Sequence, residues 1–156
     1  EFISKYSEFT YGNYTKNGDC VTDELLSRLF QHTTIPFGDE QLNIINYHGF
    51  YDPACKQGSP AATAHMKQIS RYTDTLVGPV VFCGDFNLAP TSPSLKPFGG
   101  LDNQSVIAKL QCTYQSPTLS NQTDVCDYIL TRGVRVKSFK MLNEIASDHK
   151  ALLIEI

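Results

Sequence analysis

The chain has 156 residues, enough for one domain with its own core. Its 41% hydrophobic and 19% charged residues match a water-facing globular protein, and no apolar run is long enough to span a bilayer. Thirteen basic against sixteen acidic residues give a net charge of −3, which argues against a tight, sequence-indifferent nucleic-acid binder but leaves room for a local basic patch.

The N-terminus lacks the charged-then-apolar plan of a secretory leader, and the expected location is soluble, with the cytoplasm favoured. Residues 1–20 are aromatic and polar without periodicity, and read as an irregular segment laid on a core. Leu42 to Tyr47 reads as a strand punctuated by Gly38-Asp39 and His48-Gly49. Ser59-Pro60 is a helix start, with serine as N-cap and proline in the first turn. Ala62, Met66, Ile69, Thr73 and Leu76 continue it at helical spacing to Gly78-Pro79.

Val80 to Cys83 has the unbroken apolar character of a strand buried on both faces. Leu88 to Gly100, with three prolines and two glycines, reads as a loop, and a helical pattern follows at Ser105 to Leu110. Cys126 to Thr131 and Val134 to Leu142 read as strands joined by a turn at Arg132-Gly133, hence as a hairpin. Ala151 to Ile156 is the last strand. No repeat, linker or low-complexity tract is present, so the expectation is a mixed α/β fold in a single domain, residues 1–156.

The five cysteines, Cys20, Cys55, Cys83, Cys112 and Cys126, contain no C-x-x-C pair. They read as buried, reduced thiols, with a disulfide among those outside the strands as the alternative. The glycosylation sequons at Asn13, Asn103 and Asn121 carry little weight.

Two separated motifs concentrate the chemistry. Gly84-Asp85-Phe86-Asn87 follows the apolar run Val80 to Cys83, and Ser147-Asp148-His149 lies just before the run starting at Ala151. Hard oxygen ligands suit Mg²⁺, and a nearby imidazole suits phosphate chemistry. Alone, Asp85 or Asn87 would be a turn residue. Asp127, inside an apolar strand, is costly to bury without a partner, and His149 is the natural one. His48 is balanced between a satisfied strand-end residue and a phosphate contact. His32 and His65 fit no motif, Tyr128 reads as core, and Lys67, Gln68 and Arg71 as a solvated helix face.

The ordered set His48-Gly49, Gly84-Asp85-Phe86-Asn87, Asp127-Tyr128-Ile129-Leu130 and Ser147-Asp148-His149 resembles the endonuclease/exonuclease/phosphatase superfamily, from about Val21 to Ile156. The resemblance implies two packed mixed β-sheets flanked by helices, a four-layer α/β/β/α sandwich. It also implies hydrolysis of a phosphate ester with Mg²⁺ or Mn²⁺. His48, Asp85, Asn87, Asp127 and His149 would be the catalytic set, and Asp85, Asn87 and Asp148 the metal set. Asp85 and Asn87 would handle the attacking water and the phosphate, Asp127 would hold His149 as imidazolium, and His48 would be a second phosphate contact.

The family's N-terminal strand ending in Asn, and its metal-binding Glu, have no counterpart before residue 20. Glu8, Glu24 and Glu40 lack the strand-end context. The expectation is therefore an N-terminally truncated domain with reduced metal affinity and an exposed sheet edge. That edge would be covered by residues 1–20, by a second copy or by a missing fragment. Two other readings stand beside the phosphoesterase: a non-catalytic remnant kept for binding or assembly, and a small α/β binding module with chance motifs. The site-bordering loops Leu88–Gly100 and Gln111–Asp124 hold a single basic residue, Lys96, which lowers the expectation of a DNA backbone clamp. Substrates from nucleic acid to phosphoinositide, phospholipid head group and small phosphate ester stay open.

Overall fold

The structure, a computed structural model, describes residues 2–11, 28–52, 56–115, 123–142, 144 and 147–156. A six-stranded mixed sheet is its centre. β1 (Ser4–Tyr11), β2 (Arg28–Phe37) and β3 (Glu40–His48) form an antiparallel meander. The turn between β2 and β3 is Gly38-Asp39, with Gly38 at φ 59°. Helix α1 (Pro60–Asp74) then carries the chain to β4 (Val80–Asp85), which runs parallel to β3. A 3₁₀ turn at Pro93–Phe98, strand β5 (Asp102–Asn103) and helix α2 (Gln104–Ile107) follow. β6 (Tyr114–Gln115) and β7 (Thr123–Asp124) form a small ladder, and β8 (Asp127–Arg132) returns to the sheet, giving the order β1-β2-β3-β4-β8-β5.

α1 forms where the sequence places it. Ser59 Oγ accepts from Ala62 N at 3.2 Å, and Met66, Ile69 and Thr73 are buried on one stripe. That stripe packs on Phe30, Ile45, Phe82 and Phe86 of the sheet side, with Phe98 of the 3₁₀ turn beside it. Side chains alternate along β4, so Val80 and Phe82 enter this core while Val81 enters a second one. The second core, on the opposite sheet face, is closed by the antiparallel pair β9 (Ser138–Met141) and β10 (Leu152–Glu155). The architecture is thus α/β with two packed sheets, the second of only two strands among the described residues. A groove of about 370 Å³ runs between the sheets, from Asp85 and Asp127 past Val81 and Ile129 to Leu152 and Ile154.

Three sequence expectations are corrected. The segment expected to be irregular includes β1, an edge strand paired with β2 through seven register positions. Ser4, Lys5, Tyr6 and Ser7 are all exposed, so no buried alternation marks the strand. β2 itself was not anticipated. The expected hairpin at Arg132-Gly133 does not form: β8 pairs with β4, and β9 pairs with β10. Four extended residues, Val134–Lys137, separate β8 from β9 and let the chain change sheets. The expected loop at Leu88–Gly100 contains the 3₁₀ turn, capped by Ser92.

Cys83, Cys112 and Cys126 are free thiols, while Cys20 and Cys55 lie outside the described residues. So do the sequons at Asn13 and Asn121. Asn103 caps α2 by accepting from Val106 N at 3.1 Å. No helix among the described residues is long and apolar enough to cross a membrane.

Candidate active site

The site is assembled by strand register. His48, at the end of β3, is directly opposite Asp85 at the end of the parallel strand β4. Asp85 is in turn directly opposite Asp127, the first residue of antiparallel β8. Three ionisable residues from three adjacent strands therefore form one row at the edge of the groove. Two glycines let the backbones close up. Gly84 has φ 139°, and a Cβ there would strike the Tyr47 carbonyl; a Cβ on Gly49 would strike the backbone of Phe86. Gly49 N donates to Asp85 O at 2.6 Å, tying the two strand ends together.

Asp85 has two tasks, one per oxygen. Oδ1 accepts from Asn87 N at 2.8 Å, an Asx turn that holds Asn87 at φ 54°. Oδ2 faces the cleft, 3.7 Å from His48 Nε2 and 3.9 Å from His149 Nε2. Burial pushes the Asp85 pKa above the usual carboxylate range, and the Asp127 charge adds to it. Asn87 is buried, accepts from Lys56 Nζ at 3.1 Å and donates through Nδ2 to Gly49 O at 3.3 Å.

His149 arrives from the C-terminal segment. Its Nδ1 lies 2.9 Å and 3.1 Å from the two Asp127 oxygens. Burial pulls the His149 pKa down, but the Asp127 hydrogen bond and the Asp127, Asp85 and Asp148 charges outweigh it, leaving it raised. His48 goes the other way: burial and the nearby Arg28 charge lower it. One imidazole is thus tuned toward the cation and the other toward the neutral ring. Asp148 itself is exposed, with its Oδ1 accepting from Ser147 Oγ at 3.0 Å.

The structure brings together His48, Asp85, Asn87, Asp127 and His149. Among the described residues, the ligand atoms clustered within 4.8 Å of one another belong to Asp85, Cys126 and His149, a set without Asp148. Four residues at the site had no sequence signal assigned to them. Lys56 reaches Asn87 and lies over the Tyr51 ring at 5.1 Å. Cys126, 1% exposed, has its Sγ 3.6 Å from Asp127 Oδ2, and burial with the Asp85 and Asp127 charges pushes its thiol pKa up. Thr113, fully buried, accepts through Oγ1 from both Cys126 N and Asp127 N, and its carbonyl accepts from Lys150 N. It therefore couples the Asp127 strand to the His149 segment. Tyr114 lies against His149, ring centroids 4.9 Å apart. Cys126 was legible as the neighbour of Asp127; the other three are defined by contacts across long sequence separations.

The Asp85 and Asp127 carboxylates and the Asn87 amide are a donor set that a hard divalent cation fits, with water completing its shell. Asp85 is the residue that would hold it, and Asn87 the amide beside it.

The chain matches the Endonuclease/Exonuclease/phosphatase family over residues 19–149 and belongs to that family. Solved structures share the fold. An endonuclease/exonuclease/phosphatase from Bacteroides vulgatus is 18% identical, with a TM-score of 0.73 over 99% of this chain and 64% of that one. A mannosyl-6-phosphatase from Bacteroides thetaiotaomicron is 16% identical, with a TM-score of 0.68 over 99% of this chain and 66% of the other. The D. rerio TDP2 complexed with a single-strand DNA product is 14% identical, with a TM-score of 0.70 over 99% and 67%. The chain therefore spans about two thirds or slightly less of these relatives. No curated protein matches it.

Proposed function

We propose that this chain is the part of a phosphoesterase that carries the water-activating and phosphate-stabilising groups, hydrolysing a phosphate ester with Mg²⁺ or Mn²⁺. The observation that supports it best is the row His48–Asp85–Asp127 with His149 closing on it. The divalent cation would supply Lewis-acid polarisation of the phosphoryl oxygen. Asp85, with its raised pKa, suits the role of general base toward a water placed by the Asn87 amide. His149 presents Nε2–H to the developing charge, held as imidazolium by Asp127. His48 and Lys56 provide neutral and cationic contacts on the other side of the phosphate.

A phosphate-ester substrate is the partner this site suits. Small phosphate esters fit the single basic residue, Lys96, in the loops Leu88–Gly100 and Gln111–Asp124, and the neighbours named as a mannosyl-6-phosphatase and as complexed with a single-strand DNA product define the range worth assaying. Nucleic acid remains in the set for that reason. The test is hydrolysis of an aryl phosphodiester and an aryl phosphomonoester, with and without Mg²⁺ or Mn²⁺. Metal-dependent turnover that falls by about 10²-fold or more in His149→Ala supports the reading. Folded protein without turnover on either ester overturns it for this chain.

A second reading, a non-catalytic member retained for binding, rests on the carboxylates. Glu8 accepts from Tyr6 and Gln68 on the sheet edge, and Glu40 opens β3 at the end opposite His48. Glu24 lies outside the described residues. Neither described glutamate completes the cation site, and metal affinity without such a group would be low. The same assay separates the two readings.

A further inference from the structure

We propose that Asp85, Cys126 and His149 form a binding site for a thiophilic divalent cation, zinc above all, overlapping the phosphate-ester centre. The ligand atoms of these three residues lie within 4.8 Å of one another. Edges of a tetrahedral zinc site with carboxylate, thiolate and imidazole ligands are about 3.3 to 3.6 Å from the usual bond lengths. Closing from the present spacing needs movements on the order of an ångström, within side-chain reach.

A second observation supports the same assignment. His149 Nδ1 is engaged by Asp127 at 2.9 Å, so Nε2 is the nitrogen directed at Asp85, 3.9 Å from Oδ2. A carboxylate behind a ligating imidazole is the usual outer partner of a metal-bound histidine. Cys126 is equally well placed. Its backbone N is fixed by Thr113 Oγ1 at 3.0 Å, and its buried sulfur lies 3.6 Å from Asp127 Oδ2 and within 4.8 Å of an Asp85 oxygen.

The chemistry discriminates between ions. Magnesium takes oxygen ligands and would leave Cys126 as a protonated thiol. Zinc, cobalt and cadmium take sulfur, and binding them releases the Cys126 thiol proton and the His149 Nε2 proton to solvent. Three protein ligands leave the fourth position to water. Occupancy would also remove the proton from His149 Nε2, the atom the hydrolytic reading needs as a donor. That inhibitory consequence, though not the site itself, rests on the phosphoesterase reading.

The test is a cobalt(II) titration of the whole chain followed by absorption, with zinc displacement. Wild type is expected to show a sulfur-to-cobalt charge-transfer band that zinc abolishes. Cys126→Ser, checked for folding by circular dichroism, should lose the band and bind zinc about 100-fold or more weaker, since even outer partners are worth 10–100-fold. A wild type without the band, or a band that persists in Cys126→Ser, overturns the proposal. Should that variant not fold, X-ray absorption of the zinc-loaded wild type decides: one sulfur in the shell upholds the site, and a purely oxygen and nitrogen shell overturns it. Turnover enters neither reading. A chain that binds cobalt through sulfur yet hydrolyses nothing keeps this site while losing the phosphoesterase reading.

Discussion

Two histidine clusters touch the central sheet and differ in kind. His32 on β2 is 7% exposed and flanked by neutral partners: Nδ1 is 2.8 Å from the Tyr72 hydroxyl and Nε2 is 3.0 Å from Asn43 Oδ1. Asn43 is itself satisfied, donating to Val77 O and Pro79 O. His149, by contrast, is one third exposed and sits on two carboxylates that face each other across β4 and β8. Like charges directly opposite each other in a ladder destabilise a sheet. The first cluster closes a network and joins β2, β3 and α1. The second holds two carboxylates directly opposite each other, with His149 bonded to one of them, an arrangement that a proton or a cation would relieve.

The widest separation is expected from removing the two imidazoles. His149→Ala should lower kcat/KM by about 10² to 10⁴-fold, with a modest loss of stability from the lost Asp127 hydrogen bond. His32→Ala should do the reverse, costing about 1–3 kcal/mol in denaturant unfolding with unchanged turnover per folded molecule. Equal effects on both properties would erase the contrast. Next in size is the backbone beneath the row. Gly84→Ala forces a Cβ onto the Tyr47 carbonyl at φ 139° and should cost about 1–3 kcal/mol or more, displacing Asp85 as well. Gly100→Ala, where a Cβ meets nothing within 4 Å, is the control and should stay within about 0.5 kcal/mol.

Titration sharpens the comparison further. By NMR, His149 should titrate above its ordinary 6.5 and His48 below it. Asp127→Asn removes the main raising influence, so His149 should fall and the basic limb of the rate profile should move to lower pH. Because the folded His149 pKa is raised, the stability it contributes is full below 6.5 and is lost as pH rises through the folded value. The smallest effect on stability concerns Asp85. Its folded pKa is also raised, so its contribution is full below 3.8 and is lost as pH climbs through the folded value. At neutral pH the ionised group is a net cost, so Asp85→Asn should raise the unfolding midpoint while abolishing turnover.

Much of this was legible in the chain itself. Ser59-Pro60 followed by apolar residues at helical spacing fixes α1, because a cap and a 3.6-residue stripe are local properties. Val80 to Cys83 fixes β4, and its end fixes where Asp85 emerges. The family resemblance rests on four short motifs, each read at the end of a strand. β1 and β2 were not legible: Ser4 to Ser7 of the edge strand β1 are all exposed, and the buried face of β2 carries the polar His32 and Thr34 beside Phe30. Nor was the partner of β9, because a turn at Arg132-Gly133 specifies a change of direction but not the sheet that receives the next strand.

The sequence by itself therefore determined which residues could do chemistry, because side-chain type and strand-end position are written locally. Only the tertiary structure decided which of them meet. Register placed His48, Asp85 and Asp127 in one row, and Thr113 joined that row to His149. It also separated Cys126 from the other described thiols by turning its sulfur toward two carboxylates. Pairing partners are chosen by burial and backbone hydrogen bonding across the whole sheet, and no local stretch of sequence carries that information.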